Sequence, residues 1–285
     1  MTPAHVDVTA ARTFLFVPAH DARKVGGALA SDADAVILDL EDAVPIGSKE
    51  EARGAAARVL AERGPGGPAL TVRVNGMKTE FAEQDLEAME SVRPDAVVVP
   101  KSDRDAIRTA STDLALIPLI ESAAGIEDTA AIASDARVKR LMLGSLDLAA
   151  ELGLGLSASG LELAAARWSL VVASGRAGLA APIDGVYPRH TDVEGLEHEA
   201  EIARRAGMRA KACIHPCQVP PVARLFAPDP SAVEWAERIL AAWGSAGGDA
   251  GAIDVDGEMV DAPQVRRAIE LRAAAALGNP ARTEG

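Results

Sequence analysis

The stretch Leu114-Ala115-Leu116-Ile117-Pro118-Leu119-Ile120-Glu121-Ser122-Ala123-Ala124-Gly125 decides the fold, together with Leu141-Met142-Leu143-Gly144-Ser145-Leu146-Asp147. In each, an apolar run of strand length ends, an acid follows, and small residues lead into a helical pattern. Strands buried on both faces read as unbroken apolar runs of this kind. Working outward, similar runs occur at Thr13–Val17, Ala35–Leu40, Leu70–Val74, Ala96–Pro100, Ala181–Val186 and Ala210–Ile214. The two quoted stretches supply the runs Leu114–Ile120 and Arg140–Leu143. Helical patterns lie between them. Residues 48–63 have Ser48 as N-cap and Gly64-Pro65-Gly66-Gly67 as a stop, and in Asp192–Ala206 the residues Val193, Leu196, Ala200 and Ala203 recur at helical spacing. Eight strands alternating with helices over about 215 residues predict an α/β fold, a TIM (β/α)8 barrel. A doubly wound sheet is the alternative, but no G-x-G-x-x-G turn follows the first strand.

The alternation stops after Ile214. A helix is predicted over Ser231–Trp243, then a glycine-rich linker over residues 244–251, a hairpin turning at Asp256-Gly257, and a last helix from Pro263 to about Leu277. The chain therefore reads as a barrel over residues 1–226 and a helix–hairpin–helix extension over 227–285. A hairpin tethered in this way is expected to pack on a neighbouring subunit or over an active site.

Of the 285 residues, 48% are hydrophobic and 25% charged, as in a soluble globular protein. One Tyr, four Phe and three Trp leave the core to aliphatic side chains. The net charge of -13 supplies no basic stripe, which argues against nucleic acid as a partner. No run suits a membrane span, and residues 1–11 lack the apolar core of a signal peptide. Two cysteines make no disulfide framework, so a cytoplasmic location is the default expectation.

A parallel barrel performs its chemistry at the rim where its strands end. The predicted ends carry Asp39-Leu40-Glu41-Asp42, Arg73-Val74-Asn75, Lys101, Glu121, Asp147 and His215. A single charge there reads equally as a salt bridge, but the set reads as an active site. Glu121 and Asp147 suit a hard divalent cation, Mg²⁺ or Mn²⁺, with open positions for substrate oxygens. Arg73 offers a fork for a carboxylate. Such a site can stabilise charge on a carbonyl oxygen while a C–C bond breaks, which points to aldol or Claisen cleavage. Cys213-x-His215-x-Cys217 is not a familiar zinc spacing, and a structural role is expected.

These segments come in a characteristic order: Leu15-Phe16-Val17-Pro18, Leu38-Asp39-Leu40-Glu41-Asp42-Ala43-Val44 with Lys49 and Arg53, Val72-Arg73-Val74-Asn75-Gly76, and Val99-Pro100-Lys101. Ile120-Glu121-Ser122-Ala123-Ala124-Gly125, Gly144-Ser145-Leu146-Asp147, Ile214-His215-Pro216-Cys217-Gln218 and Gly257-Glu258-Met259-Val260-Asp261 follow. From about Arg12 to Ala268 the chain resembles the citrate lyase β-subunit-like family, which includes malyl-CoA and citramalyl-CoA lyases. The resemblance implies a TIM barrel binding Mg²⁺ through Glu121 and Asp147, with Arg73 gripping the 2-oxo-acid end of a CoA thioester substrate. It implies that Glu41 and Asp42 orient metal waters and Arg73. Phe16 and Arg23 would lie near the CoA chain, although Pro18-Ala19-His20-Asp21 departs from the commoner Pro-Gly-Ser-Arg turn. Asp261, supplied by a neighbouring subunit of a homotrimer or homohexamer, would act as acid/base at the thioester's α-carbon. The short segment Gly153–Leu161 looks more like the citramalyl-CoA type than the malyl-CoA type.

The expected reaction is reversible cleavage to an acyl-CoA and pyruvate or glyoxylate. The alternatives are a citrate lyase β subunit, a thioesterase on the same site, and a non-catalytic binding barrel. A pyruvate aldolase that does not use CoA would be expected to show a His beside the second-strand acid, where this chain has Glu41-Asp42.

Overall fold

The computed structural model describes residues 5–247 and 251–277. By compactness the chain divides into two units, one ending at Phe226 and one beginning at Ala227. The first is a closed barrel of eight parallel strands in sequence order, with β8 (Ala210–Cys213) paired to β1 (Thr13–Pro18). Between these lie α1 (Ala22–Leu29), β2 (Ala35–Asp39), α2 (Lys49–Ala61), β3 (Ala69–Arg73), α3 (Ala82–Val92), β4 (Ala96–Val99) and α4 (Arg104–Thr109). They are followed by β5 (Leu116–Ile120), α5 (Ala123–Ala133), β6 (Met142–Leu143), α6 (Ser145–Leu152), α7 (Ala164–Ala177), β7 (Ile183–Asp184) and α8 (Val193–Arg205). A last helix of this unit, α9 (Val219–Phe226), follows β8.

Strand side chains alternate between two buried clusters, because successive Cβ atoms point to opposite faces. Phe14, Ile37, Val98, Ile117, Leu119 and Met142 belong to the cluster that fills the barrel. Leu15, Val36, Leu38, Val72, Val97 and Leu143 meet helix residues such as Val25, Ala52, Leu86 and Leu196. Each such aliphatic side chain contributes about 1.5–3 kcal/mol by leaving water. This two-sided burial is why β2 and β4 are buried along their whole length. At the N-terminal end, fully buried Arg140 donates to the carbonyls of Val8, Ala11 and Ala181. Its guanidinium lies over the Phe14 ring.

β6 and β7 are shorter than the runs predicted for them, with two residues each. Between β7, β8 and the helices outside them lies a buried charge network. Asp184 and Lys211 are in register. The Lys211 Nζ donates to Asp184 and Glu199, both at 2.7 Å, and Arg167 of α7 donates to Asp184 at 2.8 and 3.2 Å. Burial would raise the Asp184 carboxyl, but the Lys211 and Arg167 charges outweigh it and hold it below the usual carboxylate range.

The second unit contains α10 (Pro230–Ser245), the hairpin β9 (Ile253–Val255) and β10 (Glu258–Val260), and α11 (Ala262–Leu277). Ala236, Ile239, Val260, Val265 and Ala268 form its core. Asp256 and Gly257 turn with φ of 55° and 84°, the left-handed pair that a two-residue hairpin favours. Gly244 and Ser245, predicted as linker, instead extend α10, and residues 248–250 lie outside the described residues. Among the described residues no helix is long and apolar enough to cross a membrane.

The buried network gives a direct test of what holds the β7–β8 wall. Lys211→Met keeps much of the side-chain volume but leaves Asp184 and Glu199 without their ammonium partner. A loss of about 3–5 kcal/mol is expected, as for breaking one side of a buried pair. Urea unfolding measures it, and a loss below about 1 kcal/mol would contradict the pairing.

Candidate active site

The ends of β2 to β6 bring acids and bases together. Asp39 and Arg73 pair across β2 and β3, so their side chains leave the same face. Arg73 donates through Nε and Nη2 to the two Asp39 oxygens at 2.6 and 2.7 Å. Its Nη1 lies 3.1 Å from Glu41 Oε2, an ionic contact without hydrogen-bond geometry. The guanidinium also sits 5.0 Å above the Phe16 ring. Lys49, from α2, pins the loop after β2 by donating to the carbonyls of Leu40 and Glu41, both at 2.7 Å. Asn75 is held by Asp85 of α3, which also accepts from Arg53 of α2.

Lys101 follows β4 with a left-handed φ of 49°, a conformation that a side chain other than glycine's disfavours. There its backbone N–H donates to Glu121 Oε1 at 2.6 Å and its Nζ to Glu41 Oε1 at 2.9 Å. After β5, Ser122 caps α5 by accepting from Gly125 N–H. Gly144 is required by close approach: a Cβ there would stand 2.3 Å from Glu121 Cβ and 2.6 Å from its Oε2. Asp147, in the first turn of α6, is exposed and brings its carboxyl within hydrogen-bonding reach of Glu121.

Burial is the largest cause that pushes the Glu121 carboxyl up to about 8; Glu41 and Asp147 add to it, against the Lys101 N–H. Burial likewise raises Glu41, with Arg73 and Lys101 opposing and Asp42 assisting. The bond to Glu41 raises Lys101. For Arg73, burial opposes the charge, but the bond to Asp39 and the surrounding carboxylates raise the group. A buried carboxyl with a second, exposed carboxyl beside it suits a divalent cation between them. Among the described residues no group of three or more His, Cys, Asp or Glu is arranged to enclose a metal. A cation held by two carboxylates alone would keep coordination positions for water and substrate.

A family model for HpcH/HpaI aldolase/citrate lyase matches residues 12–216. The chain belongs to the HpcH/HpaI aldolase/citrate lyase family. It is an enzyme of this aldolase/citrate lyase class. A (3S)-malyl-CoA thioesterase of Cereibacter sphaeroides is 36% identical over 255 residues, 88% of this chain and 89% of the relative. The structure of protein CitE from Mycobacterium tuberculosis with magnesium, acetoacetate and coenzyme A superposes with a TM-score of 0.73 at 32% identity, covering 94% of this chain and all of that one. A citrate lyase beta subunit from M. tuberculosis with oxaloacetate and magnesium gives 0.68 at 33% identity, over 78% of this chain and 100% of that chain.

In this aldolase/citrate lyase family member the strand ends bring Glu41, Arg73, Glu121 and Asp147 to one rim. Asp42 stands further out, 57% exposed and 3.9 Å from Arg73. The partner that orients Arg73 is Asp39 rather than Asp42, because strand register, not loop proximity, sets the pair. Phe16 faces the barrel interior beneath Arg73, a contact the sequence did not reveal; Arg23 is exposed on α1. His215 caps the short turn after β8 by accepting from Cys217 N–H, a bracing role as expected. Cys213 is buried, and burial pushes its thiol up to about 12.

Asp261, in the second unit, precedes α11. Its N–H donates to Gln264 Oε1, and its Oδ1 is buried without a partner.

Gly144→Ala tests the close approach. The added methyl must displace Glu121 or part β5 from β6, with an expected loss of about 1–3 kcal/mol in thermal unfolding. An unchanged melting temperature would mean that Glu121 is not held against Gly144.

Proposed function

We propose that this enzyme is a Mg²⁺-dependent lyase acting on a 3-hydroxyacyl-CoA of the citramalyl-CoA or malyl-CoA type. It cleaves the C–C bond reversibly to an acyl-CoA and a 2-oxo acid, pyruvate or glyoxylate. The observation that carries this reading is buried Glu121 with Asp147 beside it at the rim, next to a fixed guanidinium. Glu121 and Asp147 would hold Mg²⁺, which supplies Lewis-acid stabilisation of charge on the substrate carbonyl oxygen. Arg73 binds the carboxylate of the oxo-acid portion. Glu41, tied to Lys101, keeps an oxygen free to accept a hydrogen bond inside the site. Phe16 and Arg23 line the approach of the CoA chain. Asp261 of a neighbouring protomer exchanges a proton with the thioester's α-carbon. A non-catalytic barrel has no use for this unbalanced set of acids.

Hydrolysis of the thioester on the same site is the second reading, favoured by the similarity to the malyl-CoA thioesterase. Purified protein assayed with Mg²⁺ against malyl-CoA and citramalyl-CoA separates the two. Released oxo acid with intact acyl-CoA supports the lyase. Free CoA with intact hydroxy acid supports hydrolysis, and no turnover of either thioester sinks both.

Asp147→Ala and Glu121→Ala are each expected to remain folded and to lose metal-dependent turnover. The pH dependence of metal binding follows from Glu121. Without a cation its folded-state value, about 8, stands above the value of about 4.5 in the unfolded chain. That contribution to stability is present below the unfolded value and is lost as pH rises through about 8. Mg²⁺ should therefore raise the melting temperature more at pH about 8.5 than at about 6, releasing a proton on binding at the lower pH. An equal gain at both pH values would contradict the assignment of Glu121 as a ligand.

The role of Asp261 is tested by mixing. Asp261→Asn should fold but lose turnover. After subunit exchange with Asp147→Ala, sites combining the intact Asp147 of one chain with the intact Asp261 of another should regain activity. Full turnover by Asp261→Asn alone would exclude the acid/base role, and an active strict monomer would exclude sharing.

A further inference from the structure

We propose that Asp39 is a positioning residue: it holds one edge of Arg73 so that the opposite edge is presented to the carboxylate of a 2-oxo acid. This rests on the oxo-acid reading of the site and names the residue that sets its geometry.

Asp39 ends β2 and is 1% exposed. Its Oδ1 accepts from Arg73 Nε at 2.6 Å and from Glu41 N–H at 3.0 Å. Its Oδ2 accepts from Arg73 Nη2 at 2.7 Å and from Ala43 N–H at 3.2 Å. A carboxylate has about four acceptor positions, and all are used here. Asp39 therefore has no free position for a cation or a substrate donor, although it stands among acids that do. The two backbone bonds fix its plane to the loop that Lys49 pins.

That fixed plane in turn fixes Arg73. A guanidinium has five N–H donors in a rigid fork, and two of them are bound by Asp39. The Phe16 ring covers one face. What remains is the edge containing Nη1, which adjoins Glu41. A planar carboxylate can meet that edge in only one orientation, which places its oxo group at a defined angle to the site. Asp39 thus acts through Arg73 and touches no substrate itself.

The test compares Asp39→Asn and Asp39→Glu with the wild type in three measurements: calorimetric binding of pyruvate and glyoxylate to Mg²⁺-loaded protein, Mg²⁺ titration, and thermal unfolding. Asp39→Asn turns one acceptor into a donor facing other donors and should weaken oxo-acid binding tenfold or more, with Mg²⁺ affinity changed less than threefold. Asp39→Glu keeps the charge but moves it by one methylene, and should bind oxo acid with intermediate affinity. If Asp39→Asn does not fold, the intermediate affinity of Asp39→Glu at unchanged Mg²⁺ affinity is the deciding result. Oxo-acid and Mg²⁺ affinities that fall in parallel in both variants would indicate a merely structural residue and overturn the proposal. Wild-type oxo-acid affinity in either folded variant would overturn it as well. Wild-type protein that binds neither oxo acid would instead overturn the substrate class, and the proposal with it.

Discussion

Repulsion between carboxylates that the barrel has taken out of water is the constraint on which the rest of the site depends. Glu41 and Glu121 are 5% and 3% exposed, and Asp147 reaches the second of them from the neighbouring strand end. Holding them there requires several devices that would otherwise be unfavourable. Lys101 adopts a left-handed backbone so that one residue serves Glu121 with its N–H and Glu41 with its ammonium. Gly144 gives up a side chain so that β6 can pass against Glu121. Lys49 accepts burial, which lowers its pKa, to close the loop after β2. Such local costs persist where the surrounding structure over-determines them, and they cluster at functional sites.

The other large buried charge network makes the contrast clear. Between β7, β8 and their helices, Lys211 and Arg167 face Asp184 and Glu199, and the formal charges cancel. At the rim, Asp39, Glu41, Asp42, Glu121 and Asp147 face Arg73 and Lys101, with Lys49 beneath the loop after β2. Five carboxyls against three cationic groups leave an excess of acid that a divalent cation can offset. A balanced buried network holds a wall in place; an unbalanced one lacks a partner. The imbalance is thus an argument for a bound cation that is independent of resemblance to any relative.

Much of this was legible in the sequence because burial on both strand faces forces unbroken apolar runs, and because the acids follow those runs immediately. The hairpin was legible in Asp256-Gly257, whose left-handed conformations few other pairs adopt readily. What was not legible was register. Asp39, Glu41 and Asp42 are equivalent as letters, and only the pairing of Asp39 with Arg73 across β2 and β3 decides which of them takes the guanidinium. The first residues of the expected linker are helical for a related reason. Glycine content alone does not end a helix, and α10 runs through Gly244 and Ser245 before Gly247 turns with φ of 89°. The strand ends at β6 were over-extended because Arg140 looks like a strand residue but directs its guanidinium to three backbone carbonyls at the other end of the barrel.

The division of labour between the two units bears on the choice between C–C cleavage and hydrolysis. Under the proposed function the first unit would fix the oxo-acid end, because Arg73 is held by Asp39 on one edge and by Phe16 on one face. Those contacts serve either reaction, because both start from the same bound carboxylate. The two outcomes differ at the thioester end, where cleavage requires a proton delivered to carbon and hydrolysis requires an activated water. A carboxyl serving carbon must not already be engaged by neighbouring donors. Within its own unit Asp261 has one buried oxygen, Oδ1, without a hydrogen-bond partner. Under the proposed function, the fixed edge of Arg73 would select what is bound, and a proton from Asp261 of a neighbouring protomer would favour cleavage over hydrolysis.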